Sequence, residues 1–242
     1  MRRWGKAAAA ACTFLLSALC AAAGDFAAFQ PIGFSDDGKV FAFEEYGIQD
    51  GSGFPYSNIF FVDIENDGFL PQTPVRVRID SEDADLARAR AESRSRAGTL
   101  IERYGLDRNP GLLAAFNPAG EVADRTRIRY HQHTVEPQPG GPFTLVLEET
   151  PLSVTPACKD IVPEGKGFRL RLAEIDGEPA DKVVYEDTRI PESRRCPVSY
   201  QISGAITFHP REGEPIHIAL VLVRSFGFEG NDGRWLAVPV RP

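Results

Sequence analysis

Between Arg125 and Val135 two kinds of residue alternate: Arg125, Arg127, Arg129, His131 and His133 at odd positions, with Thr126, Ile128, Tyr130, Gln132 and Thr134 between them. Successive side chains of a β-strand point to opposite faces, so this spacing predicts three guanidiniums and two imidazoles on one face. Guanidiniums present planar pairs of donors to a carboxylate or phosphate, which points to anion or glycan recognition. The two imidazoles make half of a metal site, for which a third ligand would have to come from His209, His217 or a carboxylate. Three neighbouring guanidiniums repel a cation, which favours the anion. The plainer reading of the same residues is an exposed strand whose charges guard against edge-to-edge pairing.

A second candidate is the loop around Asp50, Gly51, Ser52, Gly53, Tyr56 and Asn58, which sets Phe54 and Tyr56 in a polar context. Loops on rigid β scaffolds often carry function, so Asp50 and Tyr56 are expected on a binding rim. Signatures of catalysis are lacking. The sequence has no G-x-S-x-G elbow, and Gly51-Ser52-Gly53 is too short to supply one. Glu44 and Glu45 are adjacent, so on a strand they face opposite ways and do not form an acid and base pair. Asp63 to Gly68 has the acid spacing of a calcium loop, but its twelfth position is Pro74 where a bidentate Glu is required. No cofactor is implied.

These residues need elements to hold them. Gly33 to Glu65 reads as two strand-patterned arms, Val40 to Tyr46 and Ile59 to Ile64, with a Ser/Asp/Gly turn before the first. The two glutamates predict that the first arm ends at a surface. Asp80 to Tyr104 is patterned as a helix, with Asp80 or Ser81 as its cap and Gly105 as its stop. Its packing stripe is expected at Ala84, Ala87, Ala91, Gly98 and Ile101, and its arginines are expected to be solvated beside Asp85 and Glu92. Leu112 to Phe116 suggests a further helical turn. Segment 136–142 is rich in Pro and Gly, and is a candidate sub-boundary inside an otherwise single domain spanning residues 25–242. Beyond it the pattern is β throughout, and Ile218 to Val238 repeats the strand, Gly/Asp loop, strand order of the first hairpin. The expected fold is mainly β: an antiparallel two-sheet domain, sandwich-like or propeller-blade-like, with one inserted α-helix at about 81–104.

Residues 1–24 are expected to be a signal peptide, with Arg2, Arg3 and Lys6 before an apolar run from Ala7 to Leu19 and an A-x-A site at Ala21–Ala23. Cleavage there would move the formal net charge from −7 to −10, since three basic residues leave and no acidic one does. An acidic chain of this kind argues against nucleic acid as a partner. No second long apolar run suggests a transmembrane segment after cleavage. Cys158 and Cys196 are the two cysteines that remain, and an oxidising compartment predicts a disulfide between them.

FSDDGKVFAF followed by NIFFVDI resembles a WD-like propeller-blade repeat of the Tol type over about 30 residues. The signal segment, FAFEEYGIQDGSGFPYSNIFFVD and the GNDGRWLAV ending together resemble a bacterial family of predicted secreted proteins known only as a domain of unknown function. That resemblance implies export to the periplasm or beyond and carries over no site residues. The function expected is a non-catalytic binding or interaction module whose partner is an envelope protein or glycan. The alternatives are an envelope-polymer hydrolase, or a metal-binding protein using His131 and His133.

Overall fold

The stretch Ile218 to Val223 has no polar side chain, and a strand of that kind needs cover on both faces. The computed structural model, which describes residues 24–120, 124–227 and 229–242, shows how the cover is supplied. Residues 1–23 of the expected signal peptide lie outside the described residues.

In chain order the elements are β1 (Ala28–Phe34), β2 (Val40–Ile48), β3 (Pro55–Asp63), β4 (Gly68–Phe69), β5 (Val75–Arg78), α1 (Leu86–Tyr104), β6 (Leu112–Phe116), β7 (Arg127–Tyr130), β8 (Phe143–Leu152), β9 (Gly165–Ile175), β10 (Glu178–Glu186), β11 (Pro197–Phe208), β12 (Ile216–Ser225) and β13 (Asp232–Val240). They form three antiparallel sheets where two were expected: β1-β2-β3-β4 with β5 also on β3, then β10-β9-β8-β7, then β13-β12-β11-β6. The last of these is the middle layer. Ile218, Leu220 and Leu222 of β12 pack with Phe41, Phe43 and Phe60 of the first sheet. The alternate residues Ala219, Val221 and Val223 pack with Leu145, Leu147 and Leu170 of the β7–β10 sheet. The period-2 geometry of one strand thus divides the core in two.

The first sheet is covered on its outer face as well, because Val40, Ala42, Ile59 and Phe61 pack against Ala97 and Ile101 of α1. This overturns the expectation for the glutamates. Glu44 and Glu45 do face opposite ways, yet both are buried, and β2 runs on to Ile48. The Glu44 carboxylate accepts from Arg90 Nε and Nη2, each at 2.9 Å, and from Ser57 Oγ at 2.9 Å. Ser57 Oγ in turn lies 2.6 Å from Ser93 Oγ. A charge this deep is tolerated only when paired and hydrogen-bonded.

The same network corrects the reading of the helix. Its buried face is Ala89, Ser93, Ala97 and Ile101, and of the stripe read from the apolar residues only Ile101 is shared. Ser93 sits mid-face because it meets the polar Ser57–Glu44 niche, a requirement an apolar periodicity does not register. The helix begins at Leu86 with Asp85 as its cap, accepting from Arg88 N at 2.7 Å. Neither Asp80 nor Ser81, the two expected caps, fills that role, and Asp80 pairs with Arg78. Gly105 closes the helix in the left-handed region at φ 62°, where its N–H reaches the carbonyls of Ile101 and Glu102. Leu112–Phe116 is no helical turn. It is the edge strand β6, held by β11.

The Pro/Gly segment 136–142 connects β7 to β8 within one sheet. Cys158 and Cys196 are bonded, closing a separation of 38 residues. Such a loop restricts the unfolded chain by about 4 kcal/mol at most in the chain-entropy account.

Arg90 is a third exposed and Glu44 is not exposed at all, which makes their removal unequal. Arg90→Ala strands a buried carboxylate with Arg94 at 3.7 Å as its nearest cation and should cost about 3 kcal/mol. Glu44→Gln leaves a guanidinium that can rehydrate and should cost about 1 kcal/mol. Urea unfolding of the two variants checks this order, and the reverse order would contradict it.

Candidate functional site

Where the first and middle sheets meet at their edges, the chain must satisfy the outward N–H and C=O groups of β13, an edge strand. Two devices do so. Residues 25–27 lie along it, with Ala27 N donating to Gly233 O at 3.0 Å, Gly233 N to Asp25 O at 2.9 Å and Trp235 Nε1 to Ala27 O at 2.7 Å. Glu45 takes the next amide, Trp235 N, at 3.1 Å, and accepts from Asn58 Nδ2 at 3.0 Å with its other oxygen. Burial pushes the Glu45 carboxyl upward, against the pull of the Trp235 amide and the Arg234 charge.

Beside this seam lies a cleft of two adjoining hollows, of about 90 Å³ and about 400 Å³, which share Asn58, Arg76, Arg195 and Arg234 as lining residues. The larger falls within the size range of small-molecule sites, about 300–1,000 Å³. Arg78 joins the rim of the larger hollow, and Phe60 and Phe69 line the smaller. Most of the cations are matched by carboxylates. Arg234 donates to Asp25 at 2.6 Å and lies over the Tyr56 ring, whose hydroxyl donates to Asp25 at 2.8 Å. Arg78 pairs with Asp80 at 2.6 Å and Arg195 with Asp232 at 3.3 Å. Arg76 differs: it is exposed, its guanidinium lies 5.8 Å from the Phe60 ring, and no ion pair holds it among the described residues.

Arg195 is also unusual in its backbone, with φ at 56° in a region non-glycine residues seldom adopt. It is held from both sides. Cys196 is bonded to Cys158, and Arg194 is buried with Asp187 as its ion partner and the Phe168 ring 5.0 Å away.

Of the residues singled out from sequence, two reach the cleft and the rest fall elsewhere. Tyr56 and Asn58 line it, and Gln49 of the same loop joins them. Asp50 sits exposed at the loop tip, accepts from Gly51 N at 3.0 Å and faces a neighbouring hollow. The expected stripe holds over only four residues. Arg127 and Arg129 are exposed while Ile128 and Tyr130 are buried, and β7 then ends. The reason is Gln132, whose carbonyl accepts from Thr207 Oγ1 at 3.0 Å and whose side chain lies 3.4 Å from His217 Nε2. Past that point His133 turns to stack on His209, with centroids 4.4 Å apart, and His131 is half-buried. Arg129 is spoken for by a bidentate pair with Glu174 at 2.9 and 3.0 Å, and Arg129 and Thr144 together hold that carboxyl down at about 2. Arg125 and Arg127 are exposed. Among the described residues no group of three or more His, Cys, Asp or Glu is placed to hold a metal ion.

Of the cleft's own residues, Arg76, Arg195 and Arg234 escaped the sequence reading. They lie at distant positions, on β5, on the connection before β11 and on β13, and no local spacing links them. The strand pattern Val75-Arg76-Val77-Arg78 was the one available signal, since it puts two arginines on the same face.

A family model described as a predicted secreted protein (DUF2259) matches residues 42–241. No curated protein and no solved structure matches the chain. No helix among the described residues is long and apolar enough to cross a membrane.

The histidines give a pH prediction. His217 is fully buried, with Nδ1 2.9 Å from the Tyr130 hydroxyl, and burial followed by the His209 charge lowers its pKa to about 4. The unfolded chain, with an ordinary histidine near 6.5, therefore binds this proton first as pH falls. The stability due to a neutral His217 is complete above pH 6.5 and is lost between 6.5 and 4, by up to about 3 kcal/mol. Urea midpoints at pH 7, 5.5 and 4.5 should show that fall, and His217→Gln should flatten it relative to the parent protein.

Proposed function

This chain belongs to that family of predicted secreted proteins, and on that premise we propose that it is a non-catalytic binding protein of the cell envelope that takes an anionic ligand in the arginine-lined cleft. One observation supports the reading: among the described residues Arg76 is in no ion pair, while the neighbouring guanidiniums of Arg78, Arg195 and Arg234 are, and the carboxyl beside it, Glu45, is buried with both oxygens hydrogen-bonded. The paired arginines are positioned by their carboxylates, so the site is built before a ligand arrives, and little ordering has to occur on binding.

The non-catalytic part of the reading rests on the carboxyls. Glu45, the cleft carboxyl that burial raises, has both oxygens engaged and almost no exposure, and Asp25, Asp80 and Asp232 are tied to arginines. Each of the four is committed to a partner in the fold, which argues against its handing a proton to a ligand as a hydrolase would require. In this reading the likeness of Gly33 to Glu65 to a Tol-type blade is the likeness of one hairpin and its turn.

Isothermal titration of the purified protein with inorganic phosphate and with acetate tests the assignment. Arg76→Ala should weaken binding of each at least tenfold, as expected for loss of a charge-assisted contact worth about 1.5–3 kcal/mol, with an unchanged urea midpoint. Arg127→Ala should leave both affinities intact. Saturable binding insensitive to Arg76→Ala would contradict the assignment.

A further inference from the structure

The cleft bears a second feature that the charge alone does not use. Phe69, on the two-residue strand β4, is 44% exposed and leans on Phe60, with centroids 5.5 Å apart at 46°. Phe60 is the ring over which Arg76 lies. The unpaired guanidinium and an uncovered aromatic face therefore stand side by side at the mouth of one hollow, whose other walls offer the Asn58 amide, the Ser193 hydroxyl and Asp232.

Three properties of a ligand follow. Its charge beside Arg76 is small, because the other arginines around the hollow are paired, Arg78 with Asp80, Arg195 with Asp232, Arg234 with Asp25 and Arg194 with Asp187. Arg76 is in no ion pair among the described residues, and the carboxyl beside it, Glu45, is buried with both oxygens hydrogen-bonded, so a single negative charge at this point is matched better than the two of a phosphate monoester. Next to that charge the ligand carries a flat face of C–H groups, since covering an aromatic ring gains about 25 cal/mol for each Å² of apolar area removed from water. It also carries hydroxyls, because amide, hydroxyl and carboxylate groups on the same wall supply donors and acceptors that an apolar ligand would leave unpaired. A sugar ring bearing one carboxylate has all three: two oxygens for the planar fork of Arg76, a C–H face for Phe69, and hydroxyls for the polar wall.

We propose that the cleft binds a uronic-acid unit of an acidic glycan, with Arg76 on the carboxylate and Phe69 against the sugar face. This rests on the anion-binding reading of the same cleft and narrows it to one ligand class. The larger hollow continues past Arg76 towards Gln49 and Arg78, which leaves room for a neighbouring sugar and makes an oligomer the better ligand than the monosaccharide.

The test is isothermal titration of the purified full chain with trigalacturonate, its methyl ester, neutral galactotriose and inorganic phosphate. Trigalacturonate should bind at least tenfold more tightly than phosphate, and the methyl ester and galactotriose should each lose at least tenfold. Phe69→Ala should weaken trigalacturonate at least fivefold while leaving phosphate unchanged, and Phe69→Trp should restore the loss. Phe69 is exposed enough for both variants to fold, and a urea midpoint checks that they do. If phosphate binds through Arg76 but trigalacturonate binds no better, or Phe69→Ala has no effect on it, the uronate inference is overturned and the anion reading stands. If neither anion depends on Arg76, both fall.

Discussion

Everything in this molecule follows from burying β12 on two faces. A strand with Ile218, Leu220 and Leu222 on one side and Ala219, Val221 and Val223 on the other cannot leave either side to water, so two further sheets must cover it. The first of those sheets is apolar on its far side as well, through Val40, Ala42, Ile59 and Phe61, and so draws the helix down as a fourth layer. Layering of this depth is uncommon, since most domains close with two or three. Its cost appears at the edges, where strands of adjacent layers end side by side and leave backbone groups to be satisfied away from bulk water.

The polar groups inside the protein are answers to that cost. Glu45 and residues 25–27 serve the β13 edge, and Asp25 then needs Arg234 and Tyr56 around it. On the opposite face of β2, Glu44 draws in Arg90, Ser57 and Ser93 and sets the rotation of the helix. Charges placed for structural reasons at the seam between two sheets leave a hollow lined by guanidiniums. Arg76, projecting from the short strand β5 over the Phe60 ring, is the member that no ion pair holds among the described residues. In this account the proposed binding site is a by-product of edge closure to which Arg76 adds one more cation.

How much of this the chain announces in advance depends on the range of the interactions. The β12–β13 hairpin was readable because an unbroken apolar run and a Gly/Asp loop are local signals, and the disulfide because only two cysteines follow residues 1–24. Glu44 misled because its partner Arg90 lies 46 residues away. A buried carboxylate and a solvated one look identical until that partner is placed. The same holds for Ser93 on the helix. The Arg125 to His133 stripe misled in another way: its alternation was real over β7, but the pull of Thr207 and His217 on Gln132 ended the strand before the histidines could share its face. The cleft joins residues 58, 76, 195 and 234 from both ends of the chain, and only the stacking of sheets brings them together.

The most direct measurement of the central claim, that one unpaired guanidinium at this seam receives the ligand while its neighbours stay with their carboxylates, is the set of arginine side-chain Nε–Hε resonances followed as sodium glucuronate is added. The account predicts a saturable shift of the Arg76 signal, with Arg234 held in place by Asp25 throughout. A uniform, unsaturating drift of all exposed arginines, Arg125 and Arg127 included, would contradict it.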